Sequence, residues 1–216
     1  MDVSYILDDL NDAQRQAVTA ESQRLLVLAG AGSGKTKVLV HRIAWMIKAL
    51  NSSTHSVLAV TFTNKAANEM TSRIEQILSQ PIPEIWCGTF HSISNRILRR
   101  HHVQADLEKD FSILDSDDQL RIIKRIVKRL EIDEDQWPAD KVRWQINKWK
   151  DDGLRPNKIE DKGDFNIEIL KKIYIDYENY MRSENLLDFA ELILRSYELI
   201  RDLSLIHISE PTRPTP

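Results

Sequence analysis

Eight residues, Ala29-Gly30-Ala31-Gly32-Ser33-Gly34-Lys35-Thr36, constrain this chain more than any other stretch. An apolar run, Leu25-Leu26-Val27-Leu28, precedes them, and a long amphipathic stretch begins near Lys35. The pattern reads as strand, glycine-rich turn and helix, the setting a phosphate-binding loop requires. Gly30, Gly32 and Gly34 carry no Cβ, so the turn can adopt positive φ and bring backbone N–H groups close to an anion. The helix start adds N–H groups without intrahelical acceptors and the positive end of its dipole. Lys35 would place a point charge on the outer phosphates, and the Thr36 hydroxyl would ligate Mg²⁺; these two are the candidate catalytic residues. The usual pattern opens on glycine, and here that position is Ala29.

The net charge of −3 supplies no global basic field, so any nucleic-acid contact must come from a local patch. A chain of 216 residues with 42% hydrophobic and 29% charged content fits a soluble globular protein of one or two domains. The single cysteine, Cys87, excludes an internal disulfide and fits a reducing compartment. The opening Met1-Asp2-Val3-Ser4 has no leader pattern, and no apolar run approaches the roughly 20 residues of a membrane span. The location this implies is cytoplasmic.

Asn11 with Gln14 three residues later is a capping arrangement for a helix over about 12–20. Gln14 has a second reading, because a carboxamide upstream of the loop offers adenine one donor and one acceptor. The spacing leaves both open. Val38, Leu39, Ile43, Ala44, Met46, Ile47 and Leu50 follow helical spacing. Strands at 57–60 and 85–88 alternate with helices at about 65–78 and 90–102. Three alternations imply parallel strands joined by right-handed crossovers, an α/β nucleotide-binding sheet. Beyond residue 103 the pattern is helical only. Ser116-Asp117-Asp118-Gln119 reads as a capping box, with Leu120, Ile123, Ile126, Val127 and Leu130 on the apolar face. The other face carries Arg121, Lys124, Arg125, Lys128 and Arg129, which reads as solvated or as a phosphate contact. Lys141, Arg143, Trp144, Lys148, Trp149 and Lys150 interleave charge with aromatics, which suits single-stranded nucleic acid; core packing explains Trp144 and Trp149 as well. Further helices are expected at about 167–182 and 188–201.

Gln14, the loop at 29–36, Thr61-Phe62-Thr63-Asn64-Lys65-Ala66-Ala67 and Gly88-Thr89-Phe90-His91 occur in one order. Together they resemble the superfamily 1 DNA helicases of the UvrD/Rep/PcrA group. Gln136-Trp137-Pro138 and Leu187-Asp188-Phe189-Ala190-Glu191-Leu192 extend the resemblance, which covers residues 1 to about 202. It implies part of a RecA-like P-loop NTPase parallel sheet, α/β in class, with an all-helical inserted subdomain. Residues 1–90 would begin the ATP-binding domain 1A, and 91–202 would be subdomain 1B and the start of the return to 1A. ATP and Mg²⁺ are the implied cofactors, and single-stranded DNA and duplex junctions the implied partners.

By position, Gln14 would contact adenine, and Ala29, Gly30, Ala31, Gly32, Ser33, Gly34, Lys35 and Thr36 would hold the triphosphate. Family members commonly carry Arg where Lys37 stands beside the base; lysine keeps the charge but lacks the planar stacking surface. Phe62 would stack on a base of the tracking strand, with Thr63 and Asn64 beside the backbone. Thr89, Phe90 and His91 match a second strand-contacting motif. Read without the resemblance, Phe62 and Phe90 fit core packing at a strand end equally well. Ala67 stands where a guanine-reading Asn-Lys-x-Asp would have its acid, which favours adenine. The basic helix at 121–129 is the candidate duplex contact. The implied activity is ATP hydrolysis coupled to 3′→5′ movement on single-stranded DNA in repair. The rival from another class is nucleotide or strand binding without turnover, because no Asp-Glu pair follows an apolar strand and Asp133-Glu134-Asp135 reads as an acidic loop. An unrelated phosphate-loop kinase or transporter ATPase would not account for the 61–67 and 88–91 motifs. Residues 203–216 have no place in the family pattern; they read as translated sequencing adapter and as a loose tail. A sheet without strands from beyond residue 202 would present an unpaired edge and exposed apolar surface.

Overall fold

The computed structural model describes residues 3–22, 24–161 and 163–209, the side chains of 203–209 aside. Among them no helix is long and apolar enough to cross a membrane. The chain forms two compact units, Met1–Ile93 and Ser94–Pro216.

In the first unit a 3-10 turn, Ser4–Ile6, precedes α1 (Asp12–Thr19) and α2 (Lys35–Lys48). Then come β1 (Leu58–Thr61), α3 (Asn64–Leu78), β2 (Trp86–Thr89) and the start of α4 (Phe90–Arg100). β1 and β2 pair in parallel, from Leu58 with Trp86 to Thr61 with Thr89. A parallel pair needs a crossover, and α3 supplies it. Val40, Ile43 and Ala44 of α2 pack with Met70, Ile74 and Leu78 of α3 and with Val57, Ala59 and Ile85. The inward stripe of α2 is rotated from its expected position: Val40 is buried, whereas Leu39 and Leu50 are exposed. Arg42 Nη1 donates to the carbonyls of Ala17, Val18 and Ala20 at 3.0–3.1 Å, satisfying acceptors that the end of α1 leaves over.

The expected first strand is not formed. Leu25 to Leu28 carries no ladder, and Leu26 and Leu28 are 81% and 85% exposed. A strand exists through hydrogen bonds to a neighbour, and among the described residues this sheet holds β1 and β2 alone. Apolar composition without a partner leaves the segment extended and wet. Leu58 on β1 is also exposed, so bare apolar surface is present on this unit.

The second unit holds β3 (Ser112–Ile113), α5 (Ser116–Arg129), α6 (Ala139–Asp151), α7 (Phe165–Ser183), β4 (Leu186–Leu187) and α8 (Phe189–Ser209). It is not all-helical: β3 and β4 pair in parallel, Ser112 with Leu186 and Ile113 with Leu187. Two residues per strand give no readable alternation. The cap of α5 is Asp115 rather than Ser116; its Oδ1 accepts from the N–H groups of Asp117 and Asp118 at 2.9 and 2.8 Å. Gln119 closes no capping box; it is buried, and its Nε2 donates to Asn147 Oδ1 at 2.8 Å. α8 continues through 203–209, so this part of the expected loose tail is helical. The remainder of that tail lies outside the described residues. Ile123, Ile126 and Val127 of α5, Val142 and Ile146 of α6, and Ile173, Tyr174 and Tyr177 of α7 form the core. Trp149 is buried there and stacks on Tyr174 with ring centroids 6.0 Å apart.

Lys150 departs from its expected place in a nucleic-acid cluster. Its fully buried ammonium lies 2.8 Å from Glu178, 2.8 Å from Asp188 and 3.0 Å from Glu191. Arg155 donates to Glu178, Glu191 and Glu198, and Arg195 donates to Glu191 at 2.8 Å. The Tyr177 hydroxyl donates to Asp188 Oδ2 at 2.7 Å. Burial alone would lower the Lys150 pKa; Asp188, Glu191 and Glu178 outweigh it and hold the value well above 10.5. Burial likewise pushes Glu191 up, and Lys150, Arg155 and Arg195 reverse this, holding it well below 4.5. The network ties α6, α7 and α8 together.

Lys150→Met strands buried carboxylates and should destabilise the chain by about 3–5 kcal/mol in urea titrations. Glu191 has a depressed folded-state pKa, so its contribution is present above 4.5 and fades as pH falls below that value. The raised value of Lys150 keeps its contribution complete below 10.5 and loses it only at higher pH. The urea midpoint should therefore drop between about pH 5 and pH 3, and less steeply in Lys150→Met, where Glu191 has lost its main cation.

Candidate functional site

The loop at 29–36 is exposed and open. Gly32 and Gly34 have φ of +75° and +84°, the left-handed region that glycine reaches without strain. Gly34 is also the N-terminal cap of α2, and a Cβ there would come within 2.9 Å of Gln14 Nε2. The Lys35 ammonium turns back into the loop and donates to the carbonyls of Ala29 at 2.9 Å and Gly30 at 2.8 Å. Ser33 donates to the same Gly30 carbonyl through Oγ at 2.8 Å and through N at 3.4 Å. Three donors thus converge on one neutral acceptor. An oxyanion offers such donors stronger, charge-assisted bonds. The first turn of α2 contains no acidic residue and leaves the N–H groups of Lys35 and Thr36 without intrahelical acceptors. This donor set fits a polyphosphate, and the exposed Thr36 hydroxyl beside it fits a phosphate-bound Mg²⁺.

The capping reading of Gln14 is met by the geometry, and the side chain also reaches the loop. Its backbone N–H donates to Asn11 Oδ1 at 2.9 Å and its Oε1 accepts from Asn11 N at 3.2 Å, which is a complete capping box. Its Nε2 donates to Ser33 O at 3.1 Å, so the same carboxamide braces the loop. Lys37 donates through Nζ to the Asp9 carbonyl and anchors the start of α2 to the segment before α1.

The second group of residues gathers at the end of the β1–β2 pair. Thr61 and Thr89 form its last rung, so Phe62 and Phe90 leave the sheet at the same carboxyl end. In open parallel sheets this is the end where ligands bind. Phe62 is 96% exposed and Phe90 56%, which excludes the core-packing alternative for both. The turn carrying Phe62 is fixed on each side: Thr61 Oγ1 donates to Thr63 O at 3.0 Å, and Thr63 Oγ1 accepts from Ala66 N at 3.1 Å as the cap of α3. Thr89 Oγ1 accepts from Ser92 N at 3.2 Å and caps α4 in the same manner. Thr63, Asn64 and His91 are exposed beside the two rings. At Gly88 a Cβ would lie 2.4 Å from Ser92 Oγ, so glycine there lets α4 start tight against the strand. The sequence reading missed Ser92 and Arg42. The Thr89–Ser92 spacing of three could have flagged the former as a cap; nothing in the pattern flags Arg42.

The family described as UvrD/REP helicase N-terminal domain matches residues 10–212 of this chain. DNA helicase II of Escherichia coli strain K12 is 53% identical over 199 residues, covering 92% of this chain and 28% of that protein. DNA helicase II of Haemophilus influenzae is 51% identical over 210 residues, 95% of this chain and 29% of its own length. ATP-dependent DNA helicase PcrA of Bacillus subtilis strain 168 is 36% identical over 219 residues, with shares of 96% and 30%. The chain therefore spans under a third of the length of these curated relatives.

Phe62 touches too little to matter for folding, so Phe62→Ala should leave the urea-derived stability within about 0.5 kcal/mol of the parent. Gly34→Ala should cost about 1–2 kcal/mol, because an L-residue is forced into the left-handed region while its Cβ displaces the Gln14 amide.

Proposed function

The chain belongs to the UvrD/REP helicase N-terminal domain family, and from that premise we infer that it is the nucleotide-binding, strand-gripping part of an ATP-dependent DNA helicase. The observation that carries the reading is the open loop whose Lys35 ammonium has, among the described residues, the neutral carbonyls of Ala29 and Gly30 as its partners. The two exposed rings at the carboxyl end of the β1–β2 pair support it. The parallel pair with its α3 crossover supports assigning the first unit to a RecA-like domain 1A, and the helical second unit supports subdomain 1B.

Each residue then has one task. The loop N–H groups and Lys35 bind the β- and γ-phosphates, and Thr36 ligates the metal. Gln14 reads adenine by releasing Asn11 or Ser33, since both ends of its carboxamide are engaged. Lys37 lies near the base with its charge but no stacking plane. Phe62 stacks on a base, Thr63 and Asn64 flank the backbone, and Thr89, Phe90 and His91 grip the neighbouring nucleotide. Lys124, Arg125 and Lys128, exposed on α5, are the residues for duplex phosphates, because Arg121 and Arg129 already pair with Asp118 and Asp176. ATP with Mg²⁺, when bound, supplies the phosphoryl group whose hydrolysis drives 3′→5′ movement on single-stranded DNA in repair. For the chain by itself we read binding without turnover, since no Asp-Glu pair follows an apolar strand in its sequence.

Titrating a fluorescent ATP analogue with Mg²⁺ into the parent and Lys35→Ala tests the loop: the variant should bind more weakly by about 2 kcal/mol or more. Equal affinity would overturn the assignment. Phe62→Ala should weaken oligothymidylate binding by about 1–3 kcal/mol while leaving the ATP analogue unaffected.

A further inference from the structure

We propose that the outward face of α6, made of Lys141, Trp144 and Lys148, is a second single-stranded nucleic-acid site, built from residues other than those around Phe62. The helix sorts the 141–150 cluster by face. Val142, Ile146, Trp149 and Lys150 point into the core and are buried. Lys141, Trp144 and Lys148, at spacings of three and four, share the opposite stripe and are exposed. Trp144 leaves 62% of its surface in water, although its neighbour Trp149 shows how readily this helix buries an indole.

Beside Trp144 runs a groove of about 600 Å³ lined by Trp137, Leu170, Gln136 and Gln145. Lys148 Nζ lies 5.1 Å from the Trp144 ring centroid, a cation–π contact that occupies one face of the indole. The ring has a second face. Lys141 and Lys148 have no ion-pair partner among the described residues. Asp140 is the one acidic residue lining the groove, against Lys141 and Arg143.

This combination selects one chemistry. A flat apolar ring accepts a flat apolar partner. The two ammonium groups stand seven residues apart, roughly 10 Å along the helix axis, so their flexible stems reach phosphates on either side of one stacked nucleotide. The carboxamides of Gln136 and Gln145 offer a donor and an acceptor each to a base edge. In a duplex the base faces are already covered by one another, so an open indole face favours unpaired nucleotides. The proposal shares a ligand class with the Phe62 reading and no residue with it, so either can fail alone.

The test uses the whole 216-residue chain and an oligothymidylate carrying 5-iodouracil, cross-linked by light and mapped by mass spectrometry. A cross-link at Trp144 is expected in the parent and in Phe62→Ala. In the Phe62→Ala background, Trp144→Ala should weaken oligothymidylate binding about tenfold, with Trp144→Phe retaining most of the affinity. Lys141→Gln with Lys148→Gln should lower the slope of log affinity against log salt by about 1.4. Circular dichroism of each variant should match the parent, because all three side chains are exposed. Absence of the Trp144 cross-link, unchanged affinity in Trp144→Ala, or equal preference for duplex would overturn the proposal. So would binding of an acidic aromatic peptide at Trp144 without any oligonucleotide binding there, which would make the face a protein contact.

Discussion

A parallel ladder has a direction, and in this chain that direction decides what meets what. Once Leu58 pairs with Trp86, the register carries through to Thr61 and Thr89, and the two residues that follow must emerge together. Phe62 and Phe90 are separated by a helix and a strand in sequence, yet the ladder delivers both rings to one edge. The threonines next to them serve the same geometry from the other side. Thr63 caps α3 and Thr89 holds the N–H of Ser92, so α3 begins two residues after Phe62 and α4 begins at Phe90 itself. Both rings are left facing outward.

The loop at 29–36 depends on a different balance. Gly32 and Gly34 adopt the positive φ its turns require at no steric cost. What the loop lacks is an acceptor equal to its donors. Lys35 and Ser33 crowd the Gly30 carbonyl because nothing better is within reach. Gln14 fastens the turn to the cap of α1, so loop and helix start move as one piece. A single carboxamide both caps α1 and touches the loop, so the position of the loop is tied to that cap.

The parts of this arrangement that were legible in the sequence are those that rest on local chemistry. The loop, the cap at Asn11, the crossover between 57–60 and 85–88, and most helix spans follow from spacing and residue type. What escaped depended on partners. Residues 25–28 have a strand's composition and no strand's environment, and no single-segment pattern reports a missing neighbour. β3 and β4 are too short to show alternation, and exist because α7 returns Leu186 beside Ser112. Gln119 looked like a capping residue and instead spans the core to Asn147, a contact across 28 positions. Trp144 and Trp149 read alike in the sequence, and only the helix face separates them.

Two lysines show why charge alone is a poor guide to role. Lys35 is exposed, bound to neutral carbonyls, and free of any carboxylate in the first turn of its helix. Lys150 is sealed from water and met by three carboxylates within 3.0 Å. Burying an ammonium is costly unless opposite charges and hydrogen bonds replace its hydration, so the second lysine is inseparable from Asp188, Glu178 and Glu191. Those acids come from α7 (Glu178), from the residue just before α8 (Asp188) and from the first turn of α8 (Glu191), and the packing of the helices brings all three to one point. Nothing comparable surrounds Lys35. At its open glycine turn the Lys35 ammonium is hydrogen-bonded, among the described residues, to the neutral carbonyls of Ala29 and Gly30. A cation supplied with three fixed acids has its partners already and serves to hold helices. Their surroundings thus separate an exposed lysine on an open turn from a buried one that holds helices together.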